Sequence, residues 1–218
     1  MPTISSIEPQ KKRANRFNIF LDGKFAFGVS DHILLENDLK TQKVLTEQEI
    51  TKILAREQIA KLTDLATNFL SFRPRSEKEV IEYLAKKLAA RENIKFREAS
   101  QSLQIDTVIA KLKKYKYIND LEFANWYIQS RSRSRPRGAI LLKLELKKKG
   151  VSTEIIENLL QKSTKEIDLA QKALEKKIKR WAKLPPLDLK KKVYQYLASR
   201  GFDFETIKEA FAIFQNKQ

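Results

Sequence analysis

Arg131, Arg133, Arg135 and Arg137 fall within seven consecutive residues of this 218-residue chain. A guanidinium group is permanently charged and presents a planar fork of donors, so it suits bidentate contact with phosphate or carboxylate oxygens. Four of them on one short segment repel one another unless anions or counterions sit between them, and such clusters make phosphate footprints. A smaller group, Arg73-Pro74-Arg75, precedes Ser76. Lysine runs at 147–149, 176–177 and 190–192 are less specific, because lysines on helices often serve only to solvate a face. The whole chain carries 44 Lys and Arg against 27 Asp and Glu, a net charge of +17. A surplus of that size steers polyanions over long range, and nucleic acid, or a protein assembly that carries it, is the polyanion it fits best. An anionic membrane fits less well, since no helix sets a Trp/Phe/Leu stripe against a lysine face.

Catalytic chemistry finds little to work with. There is no cysteine, which excludes disulfides and thiolate metal sites and suits a reducing compartment. The one histidine, His32, has no second imidazole or thiol to share a metal, and no oriented partner for a triad. No glycine-rich phosphate loop occurs. Asp31, Glu36 and Asp38 lie close in sequence, which keeps a magnesium-dependent nuclease as a rival, although solvated loop acids explain them equally. The helical spacing of Trp126, Tyr127 and Trp181 favours core packing over base stacking. The expectation is a binding protein without cofactor or metal, and not an enzyme.

These groups need a scaffold. Only 5 glycines and 6 prolines in the chain, with 42% hydrophobic residues, point to helices rather than a turn-rich β architecture. The exception is the start, where Asp22-Gly23 separates two alternating apolar runs, the pattern of a hairpin closed by a type I′ turn. Residues 4–8 are a candidate third strand, and the sheet should end near Val29. Helical periodicity begins at about Thr46. Thr46-x-x-Glu49 and Ser76-x-x-Glu79 are capping boxes, and Asn119-x-x-Glu122 and Ser163-x-x-Glu166 open further helices. Pro136 disfavours helix at Arg135, which places the arginine run in a loop.

The helices repeat. Leu146-Lys-Lys-Lys-Gly150-Val151 and Leu197-Ala-Ser-Arg-Gly201-Phe202 share Leu, a basic residue, Gly and an apolar residue in order, each followed by Glu. Gly in this place reads as the left-handed residue after a helix end. A weaker copy runs from Ala66 through Leu84. The chain is therefore expected to be mainly α, with three tandem three-helix repeats in an elongated array behind a small N-terminal β-hairpin segment. The boundaries are 1–57 for the β segment and linking helix, 58–115 for the first repeat, 116–163 for the second and 164–218 for the third. The N-terminus lacks the apolar core of a signal peptide and no run is long enough to span a bilayer, so a cytoplasmic protein is expected. A monomer is the default, since packed units leave no long apolar seam.

Several of these segments resemble the RecX family of regulatory proteins. Tyr117-Ile118-Asn119-Asp120-x-x-Phe123-Ala124-x-x-Tyr127-Ile128 is similar to the family signature. So are Arg135-Pro136-Arg137-Gly138, Glu145-Leu146, Lys149-Gly150-Val151, Arg73-x-Arg75-Ser76 and Arg200-Gly201-Phe202. Phe25 to Val29 resembles the extended N-terminus of some members. The resemblance covers nearly the whole chain. Three features depart from it: Leu141 stands where Arg is more common, so that contact is either missing or moved to Lys143; Lys116 stands where Gly is common; and residues 90–104 are extra. The resemblance implies a negative regulator of recombination and DNA repair that binds RecA recombinase filaments on DNA and limits their extension, ATPase and strand exchange. The implied partners are the filament and single- or double-stranded DNA, with no membrane. The expected contact set is Arg73, Arg75, Arg131, Arg133, Arg135, Arg137, Lys143 and Lys147. Asn119, Gly138, Gly150 and Gly201 are assigned to caps and turns. The alternative is a stand-alone basic nucleic-acid-binding protein with no recombinase partner.

Overall fold

Asp22 and Gly23 both adopt positive φ, 49° and 83°, and the turn they form pairs Leu21 with Lys24. This is the type I′ geometry that matches the twist of an antiparallel pair. In the computed structural model, which describes residues 1–11, 13–161, 166–181 and 183–215, and the side chains of these except at 13, 14 and 176, the hairpin belongs to a three-stranded sheet. β1 (Ile4–Gln10), β2 (Arg13–Leu21) and β3 (Lys24–Ser30) run antiparallel in the order β1-β2-β3. The third strand expected at residues 4–8 is β1.

The chain divides into two compact units, Met1–Phe72 with Ile81–Tyr117, and Arg73–Val80 with Ile118–Gln218. In the first unit, one face of the sheet buries Ile4, Ile19, Phe27 and Val29. They pack with Ile33 of α1 (Asp31–Glu36), with Leu39 and Leu45 of the following loop, and with Ile53 of α2 (Glu47–Ser71). Thr46 and Glu49 close the expected capping box at the start of α2. A buried ion pair ties α2 to the sheet: Arg16 Nη2 lies 2.6 Å from Glu57 Oε1, while Glu57 Oε2 accepts the Ser30 N–H at 2.9 Å. Both carboxylate oxygens are satisfied, which is what makes a buried charge tolerable. α3 (Glu77–Glu92) follows, then α4 (Phe96–Ser100) and α5 (Leu103–Lys114). The extra residues at 90–104 thus form the last turn of α3, all of α4 and the entry to α5. Ala99 is buried there.

In the second unit, α6 (Asp120–Ser134), α7 (Ala139–Lys148) and α8 (Thr153–Gln161) share a core of Phe123, Ala124, Tyr127, Leu146, Val151 and Ile156. α9 (Glu166–Trp181), α10 (Pro186–Ser199) and α11 (Phe204–Gln215) enclose a second core built around Ala170, Leu174, Val193, Leu197, Phe202, Ile207 and Phe211. The paired sequence motifs do what their spacing predicts. Gly150 and Gly201 have φ of +84° and +82°. The N–H of Val151 donates to Leu146 O and that of Gly150 to Lys147 O. Phe202 and Gly201 repeat the pattern onto Leu197 and Ala198. These are Schellman caps, with the apolar residue after Gly folded back onto the core.

The same glycines meet the start of another helix. A Cβ on Gly201 would overlap Leu141 Cβ, and one on Gly138 would overlap the carbonyl oxygen of Gly201. Gly138 N–H donates to Arg200 O at 3.0 Å and Ile140 N–H to Gly201 O at 3.2 Å. The first N–H of α7, from Ala139, donates to Glu166 Oε1 of α9 at 2.7 Å. The start of α3 repeats this arrangement. Glu77 N–H donates to Asp120 Oδ1 of α6 at 2.9 Å, and a Cβ on Gly150 would meet Lys78 Cβ at 2.7 Å. Each junction satisfies orphan donors at a helix N-terminus with an acid from the next three-helix group.

Two expectations need correction. The arginine run is not a loop. α6 continues through Ser134, so Arg131 and Arg133 are helical and only Arg135–Gly138 connects to α7. Pro136 restricts the residue before it and nothing earlier; that residue, Arg135, is where the chain leaves the helix, at φ −144° and ψ 81°. The Ser76 box is half formed. Ser76 Oγ accepts the Glu79 N–H at 3.2 Å, but the Glu79 carboxylate is drawn to cations instead of the Ser76 backbone. Asn119 caps α6 as expected, accepting from Leu121 and Glu122. The Ser163 cap lies outside the described residues.

Candidate nucleic-acid and partner interface

Two carboxylates organise the basic side chains of the second unit. The first is Glu145, on the turn of α7 facing α6. Its Oε2 accepts the Tyr127 O–H at 2.9 Å and lies 3.2 Å from Arg131 Nε. Its Oε1 takes Arg137 Nη1. Arg131 Nη2 donates to the Tyr127 hydroxyl at 2.7 Å, and its guanidinium carbon lies 4.9 Å from the Tyr127 ring centre. The hydrogen bond to Tyr127, opposed by burial and aided by Glu145, raises the Arg131 pKa above its ordinary value. Two arginines around one carboxylate leave one positive charge, and their orientations are fixed rather than searching among rotamers.

The second organiser is Glu79 on α3. Arg73 binds it through both Nη atoms, at 3.0 and 3.1 Å, and Lys149 Nζ reaches it at 2.5 Å. Arg73 also lies 5.4 Å from the Trp126 ring centre, within cation–π range. Burial alone would raise the Glu79 pKa, but the hydrogen bonds and charges of Arg73 and Lys149 outweigh it and hold it at about 2. Again two cations surround one anion. Arg75 is half-buried beside this cluster. Burial first, and then the neighbouring Arg73, lower its pKa.

Apart from the half-buried Arg75, the sequence-derived contact residues thus fall into two groups. Arg73, Arg131 and Arg137 are held by carboxylates, and Lys143 pairs with Glu157 at 2.8 Å. Arg133, Arg135 and Lys147 are exposed and join no ion pair among the described residues. Lys143 is therefore no simple replacement for an arginine at 141, where Leu141 instead packs on Gly201. Sequence reasoning missed Glu79, Glu145, Tyr127 and Lys149 as organisers. Glu145 stood beside the recurring Leu146 and Glu79 was assigned to a cap, but no one-dimensional signal links either to arginines six to fourteen residues away.

The rival nuclease finds no support in geometry. Among the described residues, no three His, Asp or Glu side chains converge to hold a metal. His32 is exposed 3.9 Å from Glu36, which also faces Arg56, and Asp38 pairs with Lys40. Among the same residues no helix is long and apolar enough to cross a membrane.

Comparison with known proteins agrees with this arrangement. Four family profiles match in order: the regulatory protein RecX N-terminal domain over residues 2–46, and the first, second and third RecX three-helix domains over residues 64–94, 119–160 and 164–211. The regulatory protein RecX of Bacillus subtilis strain 168 is 37% identical over 212 residues, covering 96% of this chain and 76% of that protein. Its counterpart in Listeria monocytogenes EGD-e is 35% identical over 209 residues, covering 95% and 74%. A crystal structure of regulatory protein RecX superimposes with a TM-score of 0.72 at 26% identity, covering 97% of this chain and all of that one. That of RecX from Lactobacillus salivarius gives 0.61 at 25% identity, covering 73% of this chain and 98% of that one. With three helical repeats behind a three-stranded sheet, and relatives above 30% identity across nearly its full length, the chain belongs to the RecX family of regulatory proteins.

Proposed function

We propose that this protein binds recombinase filaments of the RecA type on DNA and restrains their extension, ATPase and strand exchange, acting by binding alone. The observation that supports this most is the pairing of two kinds of cation in one unit. Arg73, Arg131 and Arg137 are oriented by Glu79 and Glu145, as recognition of a shaped protein or phosphate surface requires. Arg133, Arg135 and Lys147 are exposed and are available to neutralise DNA phosphates. A ligand that prefers one state of a filament shifts the balance between growth and disassembly by its differential affinity, with no chemical step. The protein works in the cytoplasm as a monomer on this reading.

The test is recombinase ATPase turnover on single-stranded DNA, with this protein at a small fraction of the amount that coats the DNA. Inhibition at that level supports capping or groove binding on the filament. Inhibition that appears only when DNA is saturated, and disappears with excess DNA, supports the alternative of a stand-alone nucleic-acid binder that competes for the lattice.

A further inference from the structure

Two of the most open aromatic side chains of the first unit sit in a lysine-rich segment outside the arginine clusters. The end of α5 reads Lys111-Leu-Lys-Lys114-Tyr115-Lys116-Tyr117. It closes with the same hydrogen-bond pattern as the two glycine caps: Tyr117 N–H donates to Leu112 O and Lys116 N–H to Lys113 O. The position occupied by Gly150 and Gly201 is here Lys116, held at φ +59°. A side chain in the left-handed region carries strain that glycine would not. The following residue departs as well. Val151 and Phe202 are 4% and 3% exposed, whereas Tyr117 is 60% exposed and Tyr115 is 61% exposed. A cap of this kind normally folds its apolar residue back onto the helix. This one turns two tyrosines outward and places a strained lysine between them.

The other tyrosines are occupied. Tyr83 stacks on Phe69 at 4.0 Å, Tyr127 lies under Arg131, Tyr194 under Lys190, and Tyr196 under Arg200 and Lys177. The rings of Tyr115 and Tyr117 have no aromatic or cationic partner among the described residues. Lys111 and Lys114, one helical turn apart on α5, are exposed and make no ion pair among those residues either. Basic residues at a helix C-terminus complement its dipole, which accounts for Lys111 and Lys114. It does not account for the exposed rings or for a lysine in a glycine conformation.

We propose that Lys111, Lys114, Tyr115, Lys116 and Tyr117 form a binding site for single-stranded nucleic acid, separate from the arginine clusters, in which the tyrosines stack on unpaired bases and the lysines track the phosphates. Unpaired bases offer ring faces that a duplex hides, and stacking tolerates any sequence. The site requires no recombinase, so it stands or falls apart from the filament reading.

The experiment is fluorescence anisotropy with the full-length protein, free of recombinase, on a labelled single-stranded oligonucleotide and on a duplex of the same length. The double variant Tyr115→Ala, Tyr117→Ala should lose about tenfold or more on the single strand and change little on the duplex. Tyr115→Phe, Tyr117→Phe keeps the ring faces and should bind like the parent. Lys116→Gly separates binding from folding, since it should raise the thermal midpoint by relieving the positive φ while weakening single-strand binding and its salt dependence. Undiminished single-strand binding by the alanine variant overturns the proposal, as does an equal loss on the duplex. Loss in the phenylalanine variant, or Lys116→Gly binding as tightly as the parent, overturns the stacking and phosphate roles respectively. Binding to phosphatidylserine vesicles that exceeds binding to the oligonucleotide and depends on the same tyrosines reassigns the segment to a lipid surface.

Discussion

At the scale of single residues, the carboxylates decide what the arginines can do. Glu145 holds Arg131, Arg137 and the Tyr127 hydroxyl together, so its removal acts twice. Glu145→Gln keeps the shape but loses the charge; three donors then share a weaker acceptor, at a cost of about 1–2 kcal/mol by urea denaturation. The same change releases a net positive charge at that cluster, so binding to duplex DNA should show a salt slope steeper by about 1. Filament inhibition should weaken even so, because the guanidinium forks lose their fixed aim. Glu79 makes a prediction in pH. Its folded pKa is held at about 2, below the ordinary carboxylate value, so the folded state prefers the ionised form. The stability this contributes is fully present above the unfolded pKa and is lost as pH falls toward the folded one. The advantage of the parent over Glu79→Gln, read as a difference in urea midpoints, should therefore shrink steadily between about pH 5 and about pH 2. A constant difference across that range would mean that Arg73 and Lys149 do not recognise the charge.

At the scale of elements, two glycines separate effects that usually travel together. Gly138 has φ −75°, a conformation open to any residue, but its missing Cβ lets the start of α7 lie against the Gly201 carbonyl. Gly138→Ala thus introduces a clash with backbone and no strain of its own, at an expected cost of about 1–3 kcal/mol. Gly23, in the hairpin turn, has positive φ, and a Cβ there would meet no atom within 4 Å. Gly23→Ala should cost about 1 kcal/mol, from backbone strain alone. Thermal unfolding of the two variants compares a helix junction with a turn conformation. Both glycine caps and the Asp22-Gly23 turn were legible in the sequence because φ preference is a local property. What the glycines touch was not, since Gly138 and Gly201 are brought together by packing across 63 residues of chain. The misplaced loop at Arg131 has the same origin. Proline reports on its immediate predecessor, whereas the helix is extended to Ser134 by the burial of Phe123, Ala124 and Tyr127 upstream and by Arg131 finding Tyr127 one turn back.

At the scale of the molecule, a net charge of +17 sets how tightly the protein meets any polyanion, but not which one. Some of the cations are already engaged internally: Arg16 on Glu57, Arg73 and Lys149 on Glu79, Arg131 and Arg137 on Glu145, and Lys143 on Glu157. Composition could not reveal this division, because it depends on which carboxylate folds against which cation. Counterion release requires cations that reach phosphate without abandoning a partner, and Arg133 and Arg135 meet that condition at the end of α6. Replacing both with Ala leaves every ion pair described in the second unit intact, so stability should change by no more than about 0.5 kcal/mol. The logarithmic salt slope of DNA binding should fall by about 2, one for each phosphate that is no longer neutralised. If these arginines also anchor the protein on the recombinase filament, the variant will need several times more protein for half-maximal ATPase inhibition. If inhibition is unchanged while the salt slope falls, DNA and filament are read by different residues. The held arginines on Glu79 and Glu145 then become the filament-facing set, because they are the cations whose geometry is fixed before any partner arrives.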